Sequence, residues 1–158
     1  MDVVQVYLFR LGLKVAQLTN SKSRIGSHMS TVIPELHDAE LIEMRHDSKS
    51  KTMELRFLDA GEQPVDLTLS QIKQFRCTDF GLQNVVFQFV VHGVNEALTE
   101  SEINSNLTWM YTNDSREILA TTEEIDSIVE LVMKREVLMV VLTSSCGAQF
   151  VAITNDIL

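Results

Sequence analysis

Hydrophobic and polar positions alternate over several stretches of the chain. Met53, Leu55 and Phe57 alternate with Thr52, Glu54 and Arg56, and Val65, Leu67 and Leu69 alternate with Asp66, Thr68 and Ser70. A period of two sends successive side chains to opposite faces, so each run predicts a strand with one buried face. An extended run over Ala39–Arg45 precedes them. Asp47-Ser48-Lys49-Ser50-Lys51 and Asp59-Ala60-Gly61-Glu62 supply the connections, with Gly61 expected to take the positive φ of the second turn. Three strands joined by short turns make an antiparallel meander. Gln71–Phe80 is less regular and reads as an edge strand or a bend. Over Asn84–His92, Val85, Phe87, Phe89 and Val91 share one predicted face. Val86 and Val90 make the other face partly apolar too, which suggests a more central strand.

The period changes after Gly93. Thr99-x-x-Glu102 has the form of a capping box, in which hydroxyl and carboxylate each satisfy a free backbone N–H. Ile103, Leu107, Met110 and Tyr111 follow at helical spacing. Leu107–Tyr111 also has strand propensity, so the helix is the favoured of two readings. Thr121-x-x-Glu124 repeats the capping signature. Ile125, Ile128, Val129 and Val132 form an apolar stripe opposite Glu123, Asp126, Ser127, Glu130 and Lys134, with Lys134 and Arg135 placed for the last turn. Two apolar strands, 137–143 and 149–154, close the chain as a hairpin turning through Ser144-Ser145-Cys146-Gly147. The pattern predicts a single α+β domain over 29–158. Its mainly antiparallel sheet has about six strands, with a meander first, a hairpin last, and two helices inserted before the last two strands.

Composition narrows the function classes. The chain has 158 residues, 45% apolar and 22% charged, enough for one domain with a proper core. Residues 1–28 carry Arg10, Lys14, Lys22 and Arg24 against Asp2, whereas 29–158 carry nine basic and 21 acidic residues, a net of −12. The first 28 residues read as an extension outside the fold: a tag scar ending in Gly26-Ser27-His28-Met29, an overlong gene start, or a targeting segment. A domain this acidic is not a generic nucleic-acid binder. No apolar run approaches the roughly 18 residues that cross a bilayer, so a cytoplasmic protein without membrane contact is expected.

The search for chemistry finds little. His37-Asp38 could form a general base, but neighbours on an extended segment point apart. Asp38 is therefore expected to bond local backbone while His37 caps the strand entry. Cys146 beside Ser144 and Ser145 could be a nucleophile, yet it sits among acids and in turn-like sequence. Cys77 reads as a small, partly buried hydrophobe. No C-x-x-C, H-E-x-x-H, EF-hand or phosphate-cradling glycine motif occurs, so no metal and no cofactor is expected. What stands out is charge. From Val94 to Leu158 there are 11 acids against three bases, and Glu123, Asp126 and Glu130 share the polar face of the second helix. Such a field attracts a basic partner as well as keeping a protein soluble. Trp109 lies off the apolar stripe if its segment is helical, where it could anchor an interface, and joins the core if the segment is a strand.

Leu36-His37-Asp38-Ala39-Glu40-Leu41 ahead of a meander, the Gln83-Asn84-Val85-Val86 strand and the Ser145-Cys146-Gly147-Ala148 hairpin together resemble small bacterial immunity-type proteins of polymorphic and contact-dependent toxin systems. The resemblance spans much of 36–155 through short motifs. It implies an α+β fold, no catalysis, and tight binding to a toxin domain, often a basic nuclease. With no catalytic motif in that group, it assigns no site residues. The leading expectation is thus an acidic module that occludes a basic toxin domain, with Glu123, Asp126, Glu130 and Trp109 as partner-binding residues. The alternatives are a small enzyme using His37, Asp38 or Cys146, and a homo-oligomeric structural or adaptor protein.

Overall fold

A computed structural model of the chain describes residues 33–158; the predicted extension over 1–28 lies outside the described residues. Strands β1 (Glu40–Asp47), β2 (Thr52–Leu58), β3 (Pro64–Ser70), β4 (Gln74–Thr78) and β5 (Val85–Val91) come first. Helices α1 (Glu100–Tyr111) and α2 (Thr122–Met133) follow, and then β6 (Leu138–Cys146), β7 (Gln149–Thr154) and β8 (Asp156–Ile157). All pairings are antiparallel, in the order β4-β7-β6-β5-β1-β2-β3-β8.

The expected six strands become eight because two of them bend. β3 and β4 are halves of one strand interrupted near Gln71 (φ 54°), and β7 runs into β8 through Asn155. The ladder continues across both bends: Lys73 N donates to Ile153 O (2.9 Å), Asn155 N to Ser70 O (3.3 Å), and the Thr154 hydroxyl to Ser70 O. Since β8 continues β7 yet pairs with β3 at the far end of the order, the sheet closes on itself. Closure reduces the edges that would otherwise invite pairing with other chains, although β1 and β5 pair only at Glu40 and Val85.

Two apolar clusters sit on the two sides of this wall. Leu41, Met53, Leu55, Phe57, Leu69, Val86, Leu142 and Phe150 fill the interior, where Phe57 meets Phe89 edge to face at 5.9 Å. Outside, Val90, Met139, Val141, Val151 and Ile153 pack under the helical layer of Ile103, Leu107, Met110, Ile125, Val129 and Val132. β5, β6 and β7 are therefore apolar on both faces. The outer side of the β1–β3 meander is polar, with Arg56 bonded to Asp66 (2.8 Å) and close to Glu43 (3.5 Å).

Both helices begin with the capping box their sequences predict, at Thr99/Glu102 and Thr121/Glu124. The helical reading of 99–112 holds, and Ile103, Leu107 and Met110 are fully buried. Four local expectations are corrected. In the β2–β3 turn Glu62 takes the positive φ (59°), because Asp59 Oδ1 accepts from both Gly61 N and Gln63 N (2.8 Å each) and fixes the turn one residue later. Lys134 and Arg135 fall beyond the last turn of α2, with Lys134 as its C-cap. The last hairpin turns later than expected, since β6 runs on through Cys146 and leaves only Gly147 and Ala148 between the strands. Finally, β5 does not alternate throughout. Val86 faces Ser144 but Gln88 faces Thr143, so Phe87 is an extra residue in a β-bulge. The interior set becomes Val86, Phe89 and Val91, and Phe87 turns to solvent at 59% exposure.

Candidate functional site

Helix α2 carries the acidic face predicted from the sequence. Burial of Ile125, Val129 and Val132 fixes its rotation, leaving Glu123, Asp126 and Glu130 in solvent. Glu130 is engaged within the helix: Lys134 Nζ lies 2.5 Å from its Oε1, and that bond holds the carboxyl below its ordinary range.

Trp109 is half-buried on α1 and packs against the helix–sheet cluster. The Arg76 guanidinium stacks over its ring, 4.8 Å from the centroid. Arg76 projects from β4 and donates to Trp109 O (2.7 Å) and Thr112 O, with Asp114 at 3.6 Å. Helix α1 has no basic residue in its last turn, so a cation from a neighbouring strand satisfies its terminal carbonyls and offsets its dipole. Trp109 thus serves this capping arrangement as well as the core.

His37 and Asp38 do meet, contrary to the expectation from an extended segment. Asp38 adopts φ 64°, and the turn brings Asp38 Oδ2 to 3.0 Å from His37 Nδ1. Both side chains are largely exposed, and the imidazole leans on Phe87 with ring centroids 5.8 Å apart. Cys146 is exposed at the end of β6, whereas burial pushes the Cys77 thiol up to about 11, where it stays protonated and inert.

A feature the sequence did not single out as a site lies at this end of the molecule. Asn84 is buried and uses every polar position of its amide. Nδ2 donates to Leu41 O and Gly81 O (3.0 Å each), and Oδ1 accepts from Gly81 N (2.9 Å) and Ala148 N (3.1 Å). One side chain therefore ties together the start of β1, the β4–β5 loop and the β6–β7 hairpin. Gly147 (φ 94°) completes the joint, since a β-carbon there would run into Gln83 O and Asn84. These are the three segments that carried the immunity-type resemblance. Leu82 and Phe87, on either side of Asn84, are exposed apolar residues. An Asn at the start of an alternating run, two residues after a Leu between Gly81 and Gln83, is the local trace of this corner in the sequence.

Two shallow depressions mark the surface elsewhere. One of about 280 Å³ is lined by Glu43, Glu54, Arg56, Asp66, Leu67 and Thr68; the other lies along Glu100, Ser101, Asn104 and Ser105. Neither includes His37, Asp38 or Cys146. Among the described residues no group of three His, Cys, Asp or Glu side chains could hold a metal ion, and no helix is long and apolar enough to cross a membrane.

Fold and surface together define an α+β protein with a closed antiparallel sheet, a helical layer over one side, and exposed acidic and apolar residues. No protein-family model matches the chain, and neither does any curated protein or solved structure.

Proposed function

We propose that this chain is a non-catalytic, acidic protein-binding module of immunity type, which occludes a basic toxin domain. The observation that carries the reading is the row Glu123, Asp126 and Glu130 on α2, held outward by an apolar stripe buried against the sheet. Exposed carboxylates on a domain of net charge −12 favour encounter with a cationic surface. The resemblance described above supports the same class of partner, and a cytoplasmic site of action accords with it.

A second reading, a small enzyme, draws on the 3.0 Å His37–Asp38 contact. It is the weaker one, because general-base catalysis needs a substrate held beside the base, and both side chains are largely exposed to solvent.

The test is to ask whether the neighbouring reading frame encodes a basic toxin-like domain and, with that domain in hand, to measure association kinetics over a range of salt. Reversal of charge at Glu123, Asp126 and Glu130 together is expected to slow association about tenfold and flatten its salt dependence. Unchanged values of both quantities would remove this face from the interaction. A wild-type chain that does not bind the toxin-like domain at all would remove the function.

A further inference from the structure

We propose that the corner built around Asn84 is a docking surface for a basic polypeptide bearing apolar or aromatic side chains, with Leu82 and Phe87 as its anchors. The inference rests on the binding function proposed above and assigns it a second contact surface, at the opposite end of β6 from the helical layer.

Three observations carry it. The first is exposure. Leu82 is wholly in solvent and Phe87 is 59% exposed. Phe87 is out because a bulge in β5 removes it from the interior face, and bulges serve to re-aim side chains at sheet margins. The second is rigidity. The loop that presents Leu82 is clamped by Asn84 through both Gly81 N and Gly81 O, and the same amide holds β1 and the last hairpin. A preorganised loop loses little entropy on binding, so burial of its apolar side chains appears more fully as affinity. The third is charge. Segments 35–41, 79–87 and 144–148, which meet here, contain Glu35, Asp38, Glu40 and Asp79 and not one Lys or Arg. Apolar anchors among segments whose acidic side chains have no Lys or Arg to offset them, with the His37 imidazole against Phe87, match a partner with lysines and arginines around an apolar contact. Leu82 and Phe87 are five residues apart, at most about 17 Å along the chain, a span that fits within one side of an ordinary protein interface.

The experiment uses random peptides displayed on phage and selected on the immobilised full-length protein. Affinities of the enriched sequences are then measured by fluorescence polarisation. Enriched peptides should combine Lys or Arg with aromatic or large aliphatic residues. Leu82→Asp together with Phe87→Ser should weaken them at least tenfold, while Glu100→Gln, at the exposed start of α1, changes them less than threefold. Leu82→Asp alone, at a fully exposed site, serves should Phe87→Ser impair folding, and thermal melts report on that. Basic peptides that bind equally well to the corner variants but lose affinity with the α2 reversals would overturn the corner and leave the proposed function standing. Failure to enrich any basic peptide would overturn both.

Discussion

His92 shows how a single buried polar side chain sets a condition on the fold. It directly follows β5 at 6% exposure, and its Nδ1 accepts the Leu98 N–H at 3.0 Å. Burial, and secondarily the charge of Arg135, push its pKa below the ordinary 6.5. Arg135 also lies over Gly93, whose φ of 77° disfavours a larger residue there. Protonation of Nδ1 would break the bond to Leu98 and add a second cation beside Arg135. The unfolded chain therefore takes up a proton at His92 more readily than the folded one. The stability that neutral His92 provides is fully present above pH 6.5 and is lost as pH falls from there through the lower folded value. Denaturant midpoints measured from pH 7.5 to 5 should decline below 6.5, and a His92→Gln variant should show a smaller decline over that window. An identical decline in the variant would assign the effect to other groups. Asn84 is the contrasting case. It does not titrate, and its four bonds join three segments at any pH.

At the scale of elements, what could be read from the sequence was whatever is encoded within about four residues. Both capping boxes, both helical stripes and the alternation of β2 and β3 depend on i to i+2, i+3 or i+4 relations, and all of them hold. What could not be read depends on a partner strand. Phe87 leaves the interior face because β6 supplies one residue where β5 supplies two, and nothing in Val85–Val91 alone encodes that count. The His37–Asp38 contact runs against the expectation that the two side chains point apart for a related reason: Asp38 turns where its N–H reaches Val86 O (2.9 Å), a residue 48 positions away. The α2 carboxylates were visible at once, since a helical stripe defines its own opposite face. The Asn84 corner was not, because its components come from three separate segments. The C-terminus of α1 belongs with these long-range features, for its cap is Arg76 from β4, with a side chain only 11% exposed. Replacement of Arg76 by Ala would leave the terminal carbonyls of α1 without their cation and uncover the Trp109 ring. Hydrogen bonds to a charged group contribute about 1.5–3 kcal/mol, so Arg76→Ala should destabilise by that amount. Arg76→Lys should recover less than half of it, because an ammonium cannot match the forked geometry. Chemical denaturation of the three proteins decides this; a loss below about 0.5 kcal/mol for Arg76→Ala would show that the cap contributes little.

For the whole molecule, the closed sheet makes the last residues of the described chain as important as the central strands. Ile157 is 2% exposed within the interior cluster, and β8 pairs Ile157 with Leu69 and Asp156 with Ser70. Beyond it, Leu158 and Thr68 exchange both backbone bonds, at 2.8 and 2.9 Å. This short ladder is where β3 finds its second neighbour, so loosening it exposes the β3 edge and one end of the interior together. An Ile→Ala change at a buried site costs about 2–5 kcal/mol, and Ile157→Ala should fall in that range. Its distinctive signature is spatial. Amide exchange should accelerate at Thr68 and Leu69 on β3, far from residue 157 in sequence, while α1 and α2, which pack on the other side of the wall, keep their protection relative to global stability. Uniform acceleration across sheet and helices would mean that Ile157 contributes only to overall stability and does not hold the ring closed. Selective opening would place the closure of the sheet in the two-residue strand β8, whose pairing the bend at Asn155 makes possible.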